Sequence, residues 1–199
     1  LARRDEPRLL GDVILEDAKR VEIVRMAAGP EAELFIDANC SLDLYHARQL
    51  CQMIEPFHIE FFEEPITQND IRHMAELRSQ TTIRLACGQN EGQAYRFRDM
   101  MIAGAVDIIQ PNVAITGGFT QCQKIAALAN SFNISVDNGG AWPFFNQHLQ
   151  AGLSNGGLVE YHYSSVEVCK RLYIGLPEPK QGWLTTVSYT HLRAHETRG

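Results

Sequence analysis

Along this chain, short apolar runs end abruptly in oxygen-bearing side chains. Leu34-Phe35-Ile36 runs into Asp37-Ala38-Asn39, Phe57 to Phe62 into Glu63-Glu64-Pro65, and Ile83 to Cys87 into Gly88-Gln89-Asn90-Glu91. Runs this short, bounded by polar or turn residues, predict buried strands rather than helices. The strands expected are 33–37, 58–63, 82–87, 106–110, 134–137 and 158–162. Between them, helices are expected over 41–55, with Ser41 as N-cap, and over 69–79, 93–103, 120–131 and 144–153. Ahead of the first strand, Val13, Ile14, Ala18, Val21, Val24 and Met26 approximate one helix face, which Gly29-Pro30 closes. Strands alternating with amphipathic helices imply βαβ units and a parallel sheet. Their near-constant period predicts an α/β protein of partial TIM type: a (β/α) barrel with about six parallel strands and helices outside.

The spacing of the polar tips adds chemistry. Asp37, Glu63 and Gln89 are separated by the same 26 residues, close to the length of one βα unit in a barrel of about 250 residues. Three oxygen-bearing side chains on three successive strand ends predict a hard-cation site. A net charge of −6 argues against nucleic acid or an anionic membrane as the main partner. Five cysteines, an odd number with no CxxC pair, read as small buried hydrophobes in a reducing compartment, not as a zinc site or disulfides. With no secretory signal and no long apolar run, a cytoplasmic location is expected.

Asp37-x-Asn39, Phe62-Glu63-Glu64-Pro65, Cys87-Gly88-Gln89-Asn90, Gln110-Pro111-Asn112 and Thr116-Gly117-Gly118 together resemble the enolase superfamily, in its mandelate racemase/muconate lactonising branch. The resemblance runs from about Asp12 to Trp183. It implies the barrel domain of a two-domain, oligomeric enzyme that binds one Mg2+ and abstracts the α-proton of a small carboxylate substrate. Asp37, Glu63 and Gln89 are then the metal ligands, with Glu91, Glu64 and Asn39 as further ligands or residues supporting them. Glu160, Asn112 and Asn138 fall at catalytic positions, and Gly139, Trp142 and His162 beside the substrate. His162 is expected on the same strand face as Glu160.

Two departures from the family pattern shape the expected chemistry. Gln89 stands where the family has a carboxylate, so the ligand charge falls. Asn112 and Gly139 stand where the racemase branch has its Asp–His pair, and no lysine replaces that base. Asp137 is nearest, with a strand phase that aims it into the wall. Two-base racemisation is therefore disfavoured, and a sugar-acid dehydratase is expected, ahead of a cycloisomerase, a racemase or a non-catalytic carboxylate binder. Gly117-Gly118 reads as a tight turn rather than an anion cradle, and His148 as a helix-face histidine.

The chain begins without methionine, and residues 184–199 lack any apolar period and read as non-native. His191 and His195, four residues apart in that tail, are not taken as a metal pair. Residues 1–183 are expected to form a truncated barrel lacking the capping domain and first strands, inactive and poorly stable alone because two sheet edges stay open.

Overall fold

The computed structural model describes residues 10–186 and 193–194. The chain folds as two compact units, Leu1–Cys87 with Asp99–Ile108, and Gly88–Arg98 with Ile109–Gly199. Six parallel strands follow one another in chain order from β1 to β6, and β4 (Ile108–Ile109) gives one residue to each unit. An order without reversal is that of a (β/α) barrel, not of a doubly wound sheet. Among the described residues no helix is long and apolar enough to cross a membrane.

In the first unit, β1 (Leu34–Asp37), β2 (Ile59–Glu63) and β3 (Arg84–Cys87) lie side by side in parallel. Helices α1 (Leu10–Ala28), α2 (Leu44–Ile54) and α3 (Ile71–Arg78) alternate with them. Phe62, Leu85, Leu50, Ile54 and Leu77 are fully buried, whereas Phe61, Ala86 and Ile108 form a separate apolar cluster. Successive residues of a strand thus serve opposite faces of the sheet. Asp43, not Ser41, caps α2, its carboxylate accepting from the His46 amide. The reason lies downstream of β1: Leu42 still bridges in parallel to Ile66, so the chain stays extended past Ser41. Asp70 caps α3 through the amides of Arg72 and His73. Asp107 holds Arg78 with one oxygen and the Leu85 amide with the other, fixing the approach to β4.

Helix α4 (Ala94–Ile102) passes from the second unit to the first. The second unit contains α5 (Val113–Thr116), α6 (Phe119–Ser131), β5 (Ser135–Asn138), α7 (Pro143–Gln150), β6 (Gly156–Val159) and α8 (Tyr163–Leu172). Val113, Cys122 and Leu149 make one core cluster, and Phe144, Val166 and Cys169 another. The short α5 was not expected. It separates Gly117 from β4, so Gly117 (φ 114°) caps one helix and Gly118 opens the next, which is a turn role. Strand β6 also lies earlier than the expected 158–162. A Cβ on Gly157 would collide with the Asp137 carboxylate, and one on Gly156 with the Gln150 amide. The strand therefore opens on two glycines with little room for a side chain, which an apolar pattern does not register.

After α8, β7 (Tyr173–Ile174) pairs antiparallel with Arg193–Ala194. All five cysteines are free, four of them buried. Residues 187–192 and 195–199, with His191 and His195 among them, lie outside the described residues.

Candidate active site

Asp37 and Glu63 are the last residues of β1 and β2 and are register partners. In-register neighbours on adjacent parallel strands, about 4.8 Å apart, present their side chains to the same face. Two carboxylates therefore stand together at the C-terminal edge of this part of the sheet. Glu63 is buried, and the half-buried Asp37 lines, with Asp17, Arg20, Val21, Phe35 and Asn39, a groove of about 360 Å³ along β1. Asn39 holds both Asp37 oxygens, donating from its amide and from Nδ2 at 2.7 Å each.

Past the strand ends the two chains stay stitched together. Ala38 N–H donates to Glu63 O, Cys40 N–H to Glu64 O, Leu42 N–H to Pro65 O, and Thr67 N–H back to Leu42 O. Glu64 is 1% exposed. Its Oε1 accepts from Asn69 Nδ2 at 2.9 Å, and the Cys40 thiol hydrogen-bonds to the same carboxylate. Burial, then the charge and hydrogen bond of Glu64, push the Cys40 thiol up to about 12, so this cysteine is a donor and not a nucleophile. Neither Asn69 nor Cys40 was singled out from sequence. The usable signal was the turn-prone Gln68-Asn69-Asp70 after the Glu-Glu-Pro motif.

Two carboxylates with hard oxygen donors suit Mg2+. Among the described residues no three His, Cys, Asp or Glu side chains gather as a metal site. Gln89, two residues past β3, is buried in the second unit behind Gly88, where a Cβ would strike the Phe97 ring. Glu91 is engaged elsewhere: its carboxylate faces Arg96 Nε at 3.3 Å, and its carbonyl accepts from Thr116 Oγ1.

The second unit gathers its site residues around the loop 139–141. Asn112 caps α5, Oδ1 accepting from Ala114 N–H, while Nδ2 donates to Gly139 O at 2.9 Å and Ala141 O at 2.6 Å. Both of its side-chain hydrogens are directed to the loop carbonyls. Asn138 ends β5 and gives Nδ2 to Pro111 O. Gly140 N–H donates to Glu160 Oε2 at 2.5 Å. Burial of the Glu160 carboxyl raises its pKa above the ordinary glutamate value, against the Gly140 hydrogen bond and the charge of His162, which pull it down.

Glu160 lies just past the end of β6, its amide bonded to Asn138 O. One expected placement changes. His162 is not on a strand face with Glu160: it caps α8, Nδ1 accepting from the Ser165 amide, because the strand has already ended. Trp142 adopts a left-handed conformation (φ 70°) at the start of α7 and packs against the Phe144–Val166–Cys169 cluster. Asp137 does turn into the wall, its Oδ1 accepting from the Leu158 amide at 2.8 Å. Sequence reasoning missed Asn146, a buried residue of α7 whose Oδ1 accepts from the Val113 amide and so secures α5.

Known proteins resemble this arrangement. The D-galactarolactone cycloisomerase of Agrobacterium fabrum is 35% identical over 127 residues, 64% of this chain and 34% of that protein. The D-galactonate dehydratase of Xanthomonas euvesicatoria is 30% identical over 132 residues, 65% of this chain and 35% of that protein. The crystal structure of a mandelate racemase/muconate lactonizing enzyme from a marine actinobacterium, in complex with magnesium, superposes with a TM-score of 0.79 at 30% identity, covering 87% of this chain and 49% of that one. The matched stretch is thus about a third of the curated relatives' length and half of the crystallised enzyme's. Residues 8–188 match the profile of the enolase C-terminal domain-like family. With nearly the whole chain inside that match, this protein belongs to the enolase C-terminal domain-like family, in its mandelate racemase/muconate lactonizing branch.

Proposed function

We propose that the protein acts in magnesium-dependent removal of the α-proton of a sugar-acid carboxylate, with loss of the neighbouring hydroxyl as water. The observation that carries the reading is the in-register pair Asp37 and Glu63 at adjacent strand ends. An α-proton next to a carboxylate is too weakly acidic to leave unaided, because a second negative charge grows on the same oxygens. Mg2+ supplies Lewis-acid stabilisation of that charge. Asp37 and Glu63 would hold the ion, and the equal sequence spacing nominates the Gln89 amide oxygen as a third donor. Glu160, whose Oε2 accepts from Gly140 N–H, hydrogen-bonds to substrate beside the glycine loop. Asn112 and Asn138 hold the glycine loop beside it.

Dehydration needs an acid and a base but not an Asp–His pair, and here that pair is replaced by Asn112 and Gly139. Similarity to a galactonate dehydratase supports this choice. Similarity to a galactarolactone cycloisomerase supports a second reading, isomerisation of a sugar lactone through the same α-proton chemistry. Incubating the complete polypeptide with hexonates, hexarates and their lactones, Mg2+ and deuterated water separates the two. A 2-keto-3-deoxy acid is expected, and a ring-opened isomer would favour the second reading. Racemised, deuterated substrate would reveal a second base. No turnover of any acid together with no Mg2+ binding would overturn the proposal.

A further inference from the structure

We propose that Glu64 is a positioning residue, whose buried carboxylate ties the loop after β1 to the loop after β2 and so fixes the placement of Asp37 relative to Glu63. The inference rests on reading those two residues as metal ligands.

Glu64 follows Glu63 directly, and its carboxylate is buried away from solvent. Two of its partners come from different segments: Cys40 from the loop that follows Asp37, and Asn69 from the loop that follows Glu63. The main chain repeats the link, since Glu64 O accepts from Cys40 N–H at 2.8 Å while Glu64 N–H donates to Ala86 O at 2.9 Å. One residue is therefore joined to the continuations of β1, β2 and β3 at once.

The backbone around it is strained. Asn39 (φ 47°), Cys40 (φ 56°), Glu64 (φ 41°), Gln68 (φ 58°) and Asn69 (φ 48°) all occupy the left-handed region. Asn tolerates that region, but Cys40, Glu64 and Gln68 are held in it against their preference, so these loops depend on their contacts for their shape. Glu64, Cys40 and Asn69 are among the five. Removing its carboxylate frees Cys40 and Asn69 together, and the relaxation reaches Asp37 through the Asn39 turn that grips both its oxygens. A buried carboxylate this close could instead favour the cation by charge alone, and the two roles predict different variants.

The test is titration of the complete polypeptide with Mg2+ by calorimetry and with Mn2+ by electron paramagnetic resonance, at a temperature where circular dichroism shows each variant folded. Glu64→Gln keeps an oxygen that accepts from Asn69 and Cys40, and it should retain near-parental affinity and the parental Mn2+ line shape. Glu64→Ala should weaken metal binding by about 10–100-fold and broaden the Mn2+ spectrum. Should Glu64→Ala fail to fold, Asn69→Ala, which removes one partner only, should show a smaller loss in the same direction. Unchanged affinity in Glu64→Ala, or in Asn69→Ala when only that variant folds, overturns the proposal. So does a Glu64→Gln variant as weak as Glu64→Ala, which would assign the effect to charge. Absence of metal binding by the parent protein would instead sink the metal reading itself, and this inference with it.

Discussion

Gly140 N–H points at Glu160 Oε2 across 2.5 Å, joining the glycine loop after β5 to the residue that follows β6. The hydrogen bond favours the ionised carboxylate, yet burial outweighs it and the pKa is raised. A carboxyl whose folded pKa lies above its unfolded value contributes stability at low pH, and that contribution is lost as pH rises through the folded pKa. Between the ordinary glutamate value and neutrality, the thermal midpoint of the parent should therefore fall relative to Glu160→Gln. If the protonated form serves catalysis, kcat/KM should decline over the same window, and Glu160→Gln should lack that limb. A melting and rate series from pH 4 to 8 in which both proteins show the same profile would remove Glu160 from this role.

Asn112 should not tolerate the acidic residue that its family position suggests. Asn112→Asp replaces Nδ2, whose two hydrogens go to Gly139 O and Ala141 O, by one oxygen that faces both carbonyls. Each orphaned acceptor costs about 1–3 kcal/mol, and the new charge adds repulsion. Urea unfolding should show a loss of at least that size. Asn112→Asp as stable as the parent would mean that the loop re-forms its bonds elsewhere.

Gly157→Ala should destabilise β6. The added methyl would meet the Asp137 carboxylate, which already accepts from the Leu158 amide. Overpacking of this kind costs about 1–3 kcal/mol. Chemical denaturation measures it directly, and a neutral result would show that the close approach of β5 and β6 is not rigid.

Gln89→Glu should tighten Mg2+ binding. An anionic oxygen in place of an amide raises the ligand charge, and a gain on the order of tenfold corresponds to about 1.4 kcal/mol. Calorimetric titration of the complete polypeptide decides it. Unchanged affinity would move the third-ligand assignment away from Gln89, and Glu91→Gln would then be compared after release of its Arg96 contact.

The alternation of apolar runs and polar tips was enough to place β1, β2 and β3 within a residue or two and to mark Asp37 and Glu63 as strand-end carboxylates. Strand periodicity and the chemistry that ends a strand are local properties, written in consecutive residues. What depends on through-space neighbours was not legible. Glu64 and Glu63 are chemically identical in the sequence, and only the fold sends one to Asn69 and Cys40 and pairs the other with Asp37. The family pattern put Asn112 at a catalytic position, and only the fold shows its amide holding the carbonyls of Gly139 and Ala141. Strand β6 began two residues before the apolar pattern did, because glycine carries no hydropathy signal where its missing side chain lets Asp137 and Gln150 close in. Hydrophobic spacing reports which face of an element is buried; hydrogen-bond partners and backbone approach are set by segments distant in sequence, and tertiary structure alone decides them.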